Sequence, residues 1–153
     1  MRVTREDGLF IDDDPALVDH DKVYRWIAEE SWWAVGRSRD QVERSLAGSH
    51  VYGVYADAET MVAVTRVITD HATFAYLCDV YVDEAYRGKG IGPWLSREIV
   101  AATKVIGINR FLLATKDKHS TYARAGFYPV ERPQVWMEID ERPTKPGPVP
   151  AGE

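Results

Sequence analysis

Apolar positions along the chain change period twice. From Leu17 to Trp33, Leu17, Val23, Trp26 and Ile27 fall among charged residues at helical spacing, which predicts a helix. A second helix is expected behind Ser38 as N-cap, running through Val42 and Leu46 to a stop at Gly48. The texture then becomes strand-like. Residues 51–56, 61–69 and 73–82 are rich in Val, Tyr, Thr and Ile, and Asp57–Thr60 and Asp70–Ala72 divide them, as in an antiparallel meander. A short strand near Leu9–Ile11 precedes all this and is broken by Asp12–Pro15. Downstream, a helix from about Pro93 to Val105 puts Ile91, Leu95, Ile99 and Ala102 on one stripe. Residues 110–115 are almost wholly apolar, as in a strand buried on both faces. A short helix near Ser120–Ala125 ends at Gly126, and 127–130 with 134–139 read as a closing strand pair.

The order strand–turn–helix–strand between about 73 and 115 is a crossover unit, which lays two parallel strands side by side under a helix. The fold class is therefore α/β in the mixed, α+β sense: a meander joined to a parallel crossover pair. One domain is expected over residues 1–141, followed by a disordered tail over 142–153, which holds four prolines. Composition narrows the function classes. A net charge of −5 argues against nucleic acid as the main partner, and the single Cys78 excludes an internal disulfide and any multi-cysteine metal site. No apolar run reaches the ~18 residues of a membrane helix, and the first residues lack a signal-peptide stretch. A cytoplasmic protein without a membrane partner is expected.

The chemistry concentrates at the head of the crossover helix, in Arg87-Gly88-Lys89-Gly90-Ile91-Gly92. Three glycines admit positive φ and let an anion approach the backbone without Cβ clashes. Loop amides and the positive helix end make an anion nest, and Arg87 and Lys89 add charge that suits a diphosphate. Pro93 falls in the first helical turn, where its missing N–H costs the helix nothing. The spacing is neither G-x-x-x-x-G-K-[ST] nor G-x-G-x-x-G, since Trp94 and Leu95 stand where a third glycine should come. A solvated glycine turn with two cations is the plainer reading of the loop alone.

Arg87-x-x-Gly90-x-Gly92, entered through Asp79-Val-Tyr-Val-Asp-Glu-Ala-Tyr86, resembles the R/Q-x-x-G-x-G/A signature of the GNAT superfamily of N-acetyltransferases. Tyr122-Ala-Arg-Ala-Gly126-Phe127 resembles the family's second landmark, Y-x-x-x-G-F. The likeness covers about residues 10 to 139 and implies the GNAT fold, a mixed sheet whose centre splays apart around acetyl-CoA. Carried over by position, Arg87, Gly88, Lys89, Gly90, Ile91 and Gly92 would hold the CoA pyrophosphate. The backbone of Val80, Tyr81 and Val82 would pair with the pantetheine arm like an added strand. Tyr122 matches the family tyrosine that protonates the leaving thiolate, a role open to a phenol because it is neutral at pH 7.

The base is less well marked. Relatives often carry an acid at or near the position of Cys78; the neighbouring Asp79 is the best candidate, though it faces the other way unless a bulge intervenes. His119 is a weaker candidate, and Thr115 stands where relatives often carry Asn. The acceptor side should come from the first helices and their loop. Adjacent side chains on a helix point about 100° apart, so Trp32 and Trp33 cannot both face one core; the exposed one can stack on a substrate or cation and Glu29 or Glu30 can attract an ammonium group, the plainer alternative being an aromatic staple for the loop with two solvated glutamates. The expected reaction is acetyl transfer from acetyl-CoA to a primary amine of a small molecule or peptide. Protein lysine or N-terminal acetylation and a non-catalytic acyl-CoA-binding role are the alternatives. Pairing of 127–139 between chains would make a homodimer.

Overall fold

The computed structural model describes residues 1–143. Its six strands lie in one sheet in chain order: β1 (Arg2–Thr4), β2 (Phe10–Asp12), β3 (His50–Asp57), β4 (Thr60–Thr69), β5 (Ala75–Val82) and β6 (Phe111–Leu113). Neighbours pair antiparallel except β5 and β6, which run parallel across the helix α3 (Ile91–Val105). The other helices are α1 (His20–Tyr24), α2 (Arg39–Ala47) and α4 (His119–Ala123). The meander, the crossover and the N-cap at Ser38 match expectation. Ser38 and Gln41 form a capping box, each side chain bonded to the other's backbone amide, so both ends of that exchange satisfy amides the first turn leaves free.

One face of the sheet packs Val54, Val62, Val67 and Leu77 against Ile91, Leu95 and Ile99 of α3. The other packs Tyr55, Met61, Val64 and Tyr81 against Val23, Trp26, Ile27, Val42 and Leu46. Leu77 and Tyr81 share parity on β5, so an unbroken strand would point them the same way. A bulge resolves this. Arg66 pairs with Cys78 but Val64 with Tyr81, which leaves one extra residue on β5, and Asp79 there has φ of 52°.

Three expectations change. The helix from Leu17 to Trp33 is broken into a 3-10 turn at Pro15–Leu17, α1, and a π-helical stretch at Arg25–Glu30. Trp26, Ile27 and Ala28 are all buried in succession, which the wider π turn accommodates better than α geometry. A strand at Arg2–Thr4 was not foreseen; it pairs with the one expected at Leu9–Ile11. The closing strand pair at 127–130 and 134–139 does not form among the described residues. Pro129 and Pro133 lack the N–H that a ladder needs, and Pro133–Val135 wind into a 3-10 turn instead. The proline-rich tail lies, from residue 144 onward, outside the described residues.

A test of packing arises at Gly53 in β3. A Cβ there would run into the ring of Tyr55, which is itself fully buried. Gly53→Ala is expected to destabilise the fold by about 1–3 kcal/mol through overpacking, read as a lower melting temperature. An unchanged melting temperature would mean that the ring swings aside freely.

Candidate functional site: a splayed strand edge below an anion loop

The parallel ladder is short. β5 and β6 pair only from Ala75–Phe111 to Leu77–Leu113, after which β5 continues through Val82 with no β6 partner. The backbone of Val80, Tyr81 and Val82 thus lies along an edge of β5 that has no strand partner on the β6 side. The chain then crosses a 3-10 turn at Glu84–Tyr86 and enters the glycine loop. Gly88 and Gly90 have φ of 77° and 69°, the left-handed region that glycine adopts without strain, and the space beyond their Cα atoms is open. Gly90 caps α3 with no side-chain acceptor, and the backbone N–H groups of residues 88–92 have no acceptor among the described residues. Such a run of outward N–H groups, with the helix dipole behind it, suits a phosphate.

Two contacts hold the loop. Arg5 on the N-terminal hairpin donates to the carbonyl of Lys89 at 3.1 Å while its guanidinium lies over Trp94 of α3, 4.9 Å from the ring centre. Arg87 donates Nε–H to the carbonyl of Val82 at 3.0 Å and stacks on Tyr81 at 5.2 Å. Lys89 lies over the Tyr86 ring at 4.7 Å. Arg87 and Lys89 are exposed, and their charge remains available at the mouth.

The bulge turns Asp79 into the protein. Its side chain is 3% exposed and accepts from Trp33 Nε1 at 2.8 Å, Arg37 Nη1 at 2.8 Å and Arg66 Nε at 2.7 Å. Arg66 in turn donates to the Ser45 carbonyl at 3.2 Å and to Ser49 Oγ at 2.7 Å, at the end of α2. Burial alone would raise the Asp79 pKa, but the charges of Arg66 and Arg37, with hydrogen bonds from Arg66 and Trp33, hold it below the ordinary 3.8. These surroundings suit an anchor for the loop after Ser31 rather than a proton acceptor. Arg37 and Arg66 carried no motif in the sequence; Arg66 becomes meaningful only when β4 is placed opposite the bulge.

The tryptophans divide as expected, one outward and one inward, but from a turn and not a helix, since the helical stretch ends at Glu30. Trp32 is 43% exposed, Trp33 is half-buried against Asp79, and their rings meet edge-to-face at 5.8 Å. Lys116 lies 5.5 Å from the centre of the Trp32 ring. Glu29 is exposed and has no hydrogen-bond or ion-pair partner among the described residues. Glu30 instead reaches the sheet and accepts from the Tyr81 hydroxyl at 2.5 Å.

Tyr122 lies on α4, half-buried, its ring edge-on to Phe127 at 6.2 Å. Burial pushes its phenol up to about 12. Its neighbour Thr121 comes near Gly92, so α4 stands beside the head of α3. Cys78 is half-buried, burial pushes its thiol up to about 11, and it points to the carbonyl of Arg66 at 3.6 Å. A thiol held protonated there makes no nucleophile. His119 is exposed at the start of α4, and Thr115 Oγ1 accepts from the amide of Lys118.

A strand edge that loses its partner thus lies beside a glycine-led helix without a side-chain cap, a geometry suited to an extended, phosphate-bearing ligand. The family described as the acetyltransferase (GNAT) domain matches residues 47–129, and the chain belongs to it. A crystal structure of a GNAT-family protein from Xanthomonas campestris pv. campestris, a candidate acetyltransferase, is 37% identical, with a TM-score of 0.80 over 87% of this chain and 93% of that one. A Gibberella zeae protein, described as a candidate acetyltransferase, is 28% identical over 79% of this chain and 78% of its own length. N-acetylglutamate synthase from Neisseria gonorrhoeae, solved with coenzyme A and N-acetyl-glutamate, shares the fold at a TM-score of 0.60 and 17% identity, over 78% of this chain and 28% of that one. Membership makes the protein an acyl-CoA-dependent acetyltransferase. Among the described residues no helix is long and apolar enough to cross a membrane, and no group of three or more His, Cys, Asp or Glu is placed to hold a metal.

Proposed function

We propose that this protein is an acetyl-CoA-dependent N-acetyltransferase that acetylates a primary amine of a small molecule or peptide by direct attack. The observation that carries this reading is the alignment of the free N–H groups of residues 88–92 with the unpartnered edge of β5. The loop from Arg87 to Gly92 holds the pyrophosphate. The main chain of Val80, Tyr81 and Val82 takes the pantetheine arm as a short added strand. The thioester carbonyl sits beside the bulge at Asp79, at the start of that unpartnered edge. Trp32 and Trp33 form a wall for the acceptor, with Glu29 at its rim, and Asp79 fixes that wall through Trp33 and Arg37. Tyr122 donates its proton to the departing sulfur.

Calorimetric titration with acetyl-CoA, followed by thiol release on an amine panel, tests the reading; absence of binding removes it. Gly90→Val forces a β-branched residue to φ of 69°. It is expected to weaken acetyl-CoA binding at least tenfold, about 1.4 kcal/mol. Equal affinity in the variant would separate the loop from the donor. A non-catalytic acyl-CoA-binding domain is the second reading, favoured by the enclosure of Asp79 among Trp33, Arg37 and Arg66. It predicts tight binding with no turnover on any amine.

A further inference from the structure

Proton traffic on the acceptor side needs a carboxylate other than Asp79. An alkyl ammonium with a pKa near 10 must lose a proton before its nitrogen attacks. Both oxygens of Asp79 are already engaged, Oδ1 by Trp33 and Oδ2 by Arg37 and Arg66. With its side chain only 3% exposed, no face is left for a substrate.

Glu30 differs on each count. It closes the π-helical stretch, and its side chain is 44% exposed. Oε2 accepts from the Tyr81 hydroxyl at 2.5 Å, while Oε1 has only Arg25 Nε at 3.7 Å, beyond hydrogen-bond reach. Tyr81 belongs to the part of β5 beyond the last β6 pair, and its side chain packs with the first two helices. Trp26 stacks on its ring at 5.3 Å and the Arg87 guanidinium lies at 5.2 Å. The same ring therefore touches the anion loop and the carboxylate. Burial first, then the neighbouring Glu30, pushes the Tyr81 phenol up to about 12, so it stays a donor and keeps Oε2 oriented.

We propose, resting on the acetyltransferase reading, that Glu30 receives the acceptor's ammonium group on Oε1, which has only the 3.7 Å ion pair with Arg25 and no hydrogen bond, and takes its proton, with the Tyr81 hydroxyl holding the other oxygen. The proton balance closes. Glu30 takes one proton from the ammonium and passes it to solvent. The nitrogen lone pair forms the C–N bond, the C–S bond breaks with its electrons on sulfur, and Tyr122 protonates that sulfur. The second proton leaving nitrogen restores Tyr122. The products are the amide, the free thiol and one released proton.

The charged and titratable groups around Glu30 are Arg25 on its own helix, Tyr81 on β5 and, across the Tyr81 ring, Arg87; Lys116 lies over the neighbouring Trp32. The test is Glu30→Gln, which keeps an acceptor for Tyr81 and removes the charge. With an amine found to turn over, kcat/KM is expected to fall on the order of 100-fold at pH 7. The loss should shrink to a few-fold near pH 9.5, because the variant uses only the neutral amine, whose fraction rises about tenfold per pH unit below its pKa. Acetyl-CoA affinity should stay within about twofold by calorimetry. Tyr81→Phe should give a smaller loss, several-fold, carried mainly by the acceptor KM. A Glu30→Gln variant within about twofold of the parent at pH 7, or one whose loss is the same at both pH values, overturns the proposal while leaving the acetyltransferase reading intact. A parent that binds acetyl-CoA and turns over no amine overturns both.

Discussion

Asp79→Asn is expected to melt roughly 10 °C below the parent, corresponding to about 3–5 kcal/mol. The magnitude follows from what remains. Arg66, with a side chain only 10% exposed, would keep its charge without a counter-charge, and an unpaired buried guanidinium is costly. Asparagine would also present an N–H₂ to donors that need an acceptor. The pH dependence follows from the sign of the shift. The folded pKa lies below the ordinary 3.8, so the carboxylate's contribution is fully present above that value and is lost as pH falls through the lower, folded one. The variant should lack that part of the acid-side loss. The acceptor KM should rise as well, because Trp33 and Arg37 lose the group that holds their loop. Thermal melts at pH 7 and pH 3 check this. A variant melting within about 2 °C of the parent, yet catalytically dead, would return Asp79 to the role of base.

Tyr122→Phe is expected to lower kcat for acetyl transfer about 100-fold or more, within the range for one positioned proton donor. The phenyl ring keeps the edge-on packing against Phe127, so the melting temperature and the affinity for acetyl-CoA should hold. A phenol pushed up to about 12 is a weaker acid than the thiol it would form, so its proton moves to sulfur in concert with the proton that the attacking nitrogen returns to it. Stopped-flow release of thiol separates this step from binding. A variant as fast as the parent would show that the sulfur leaves unaided.

Local order was legible where local chemistry sets it. Ser38 as N-cap and the Ile91, Leu95 and Ile99 face of α3 carry their instruction locally, and both formed as read; of the three loop glycines, Gly88 and Gly90 take positive φ while Gly92 lies inside α3. Glycine spacing also set the loop at residues 87–92 apart from the two nucleotide loops it superficially resembles. The misses have a common physical origin in contacts distant in sequence. Nothing near Trp26 announces a π turn; the need to bury three successive residues against the sheet does. The bulge at Asp79 was visible only as a condition, since the guanidinium that stabilises it comes from β4. Glu29 and Glu30 are indistinguishable as neighbouring acids, and only the place of Tyr81 across the sheet separates them. At the other end, the apolar residues after Phe127 imitate a strand, but Pro129 lacks a ladder N–H and the 3-10 turn at Pro133–Val135 takes up the start of its expected partner.

The opening past Leu77 and Leu113 gives the donor a second office. Main-chain groups on the far side of β5 are left for a ligand to complete, and an edge of this kind will accept any extended chain that offers the right pattern. On the proposed reading the donor is a missing strand as well as a reagent. Its supply would shift the folding equilibrium by mass action, about 2.7 kcal/mol at a hundred times its dissociation constant. The abundance of the protein in a cell would then follow the level of its own donor, with the sheet itself acting as the gauge.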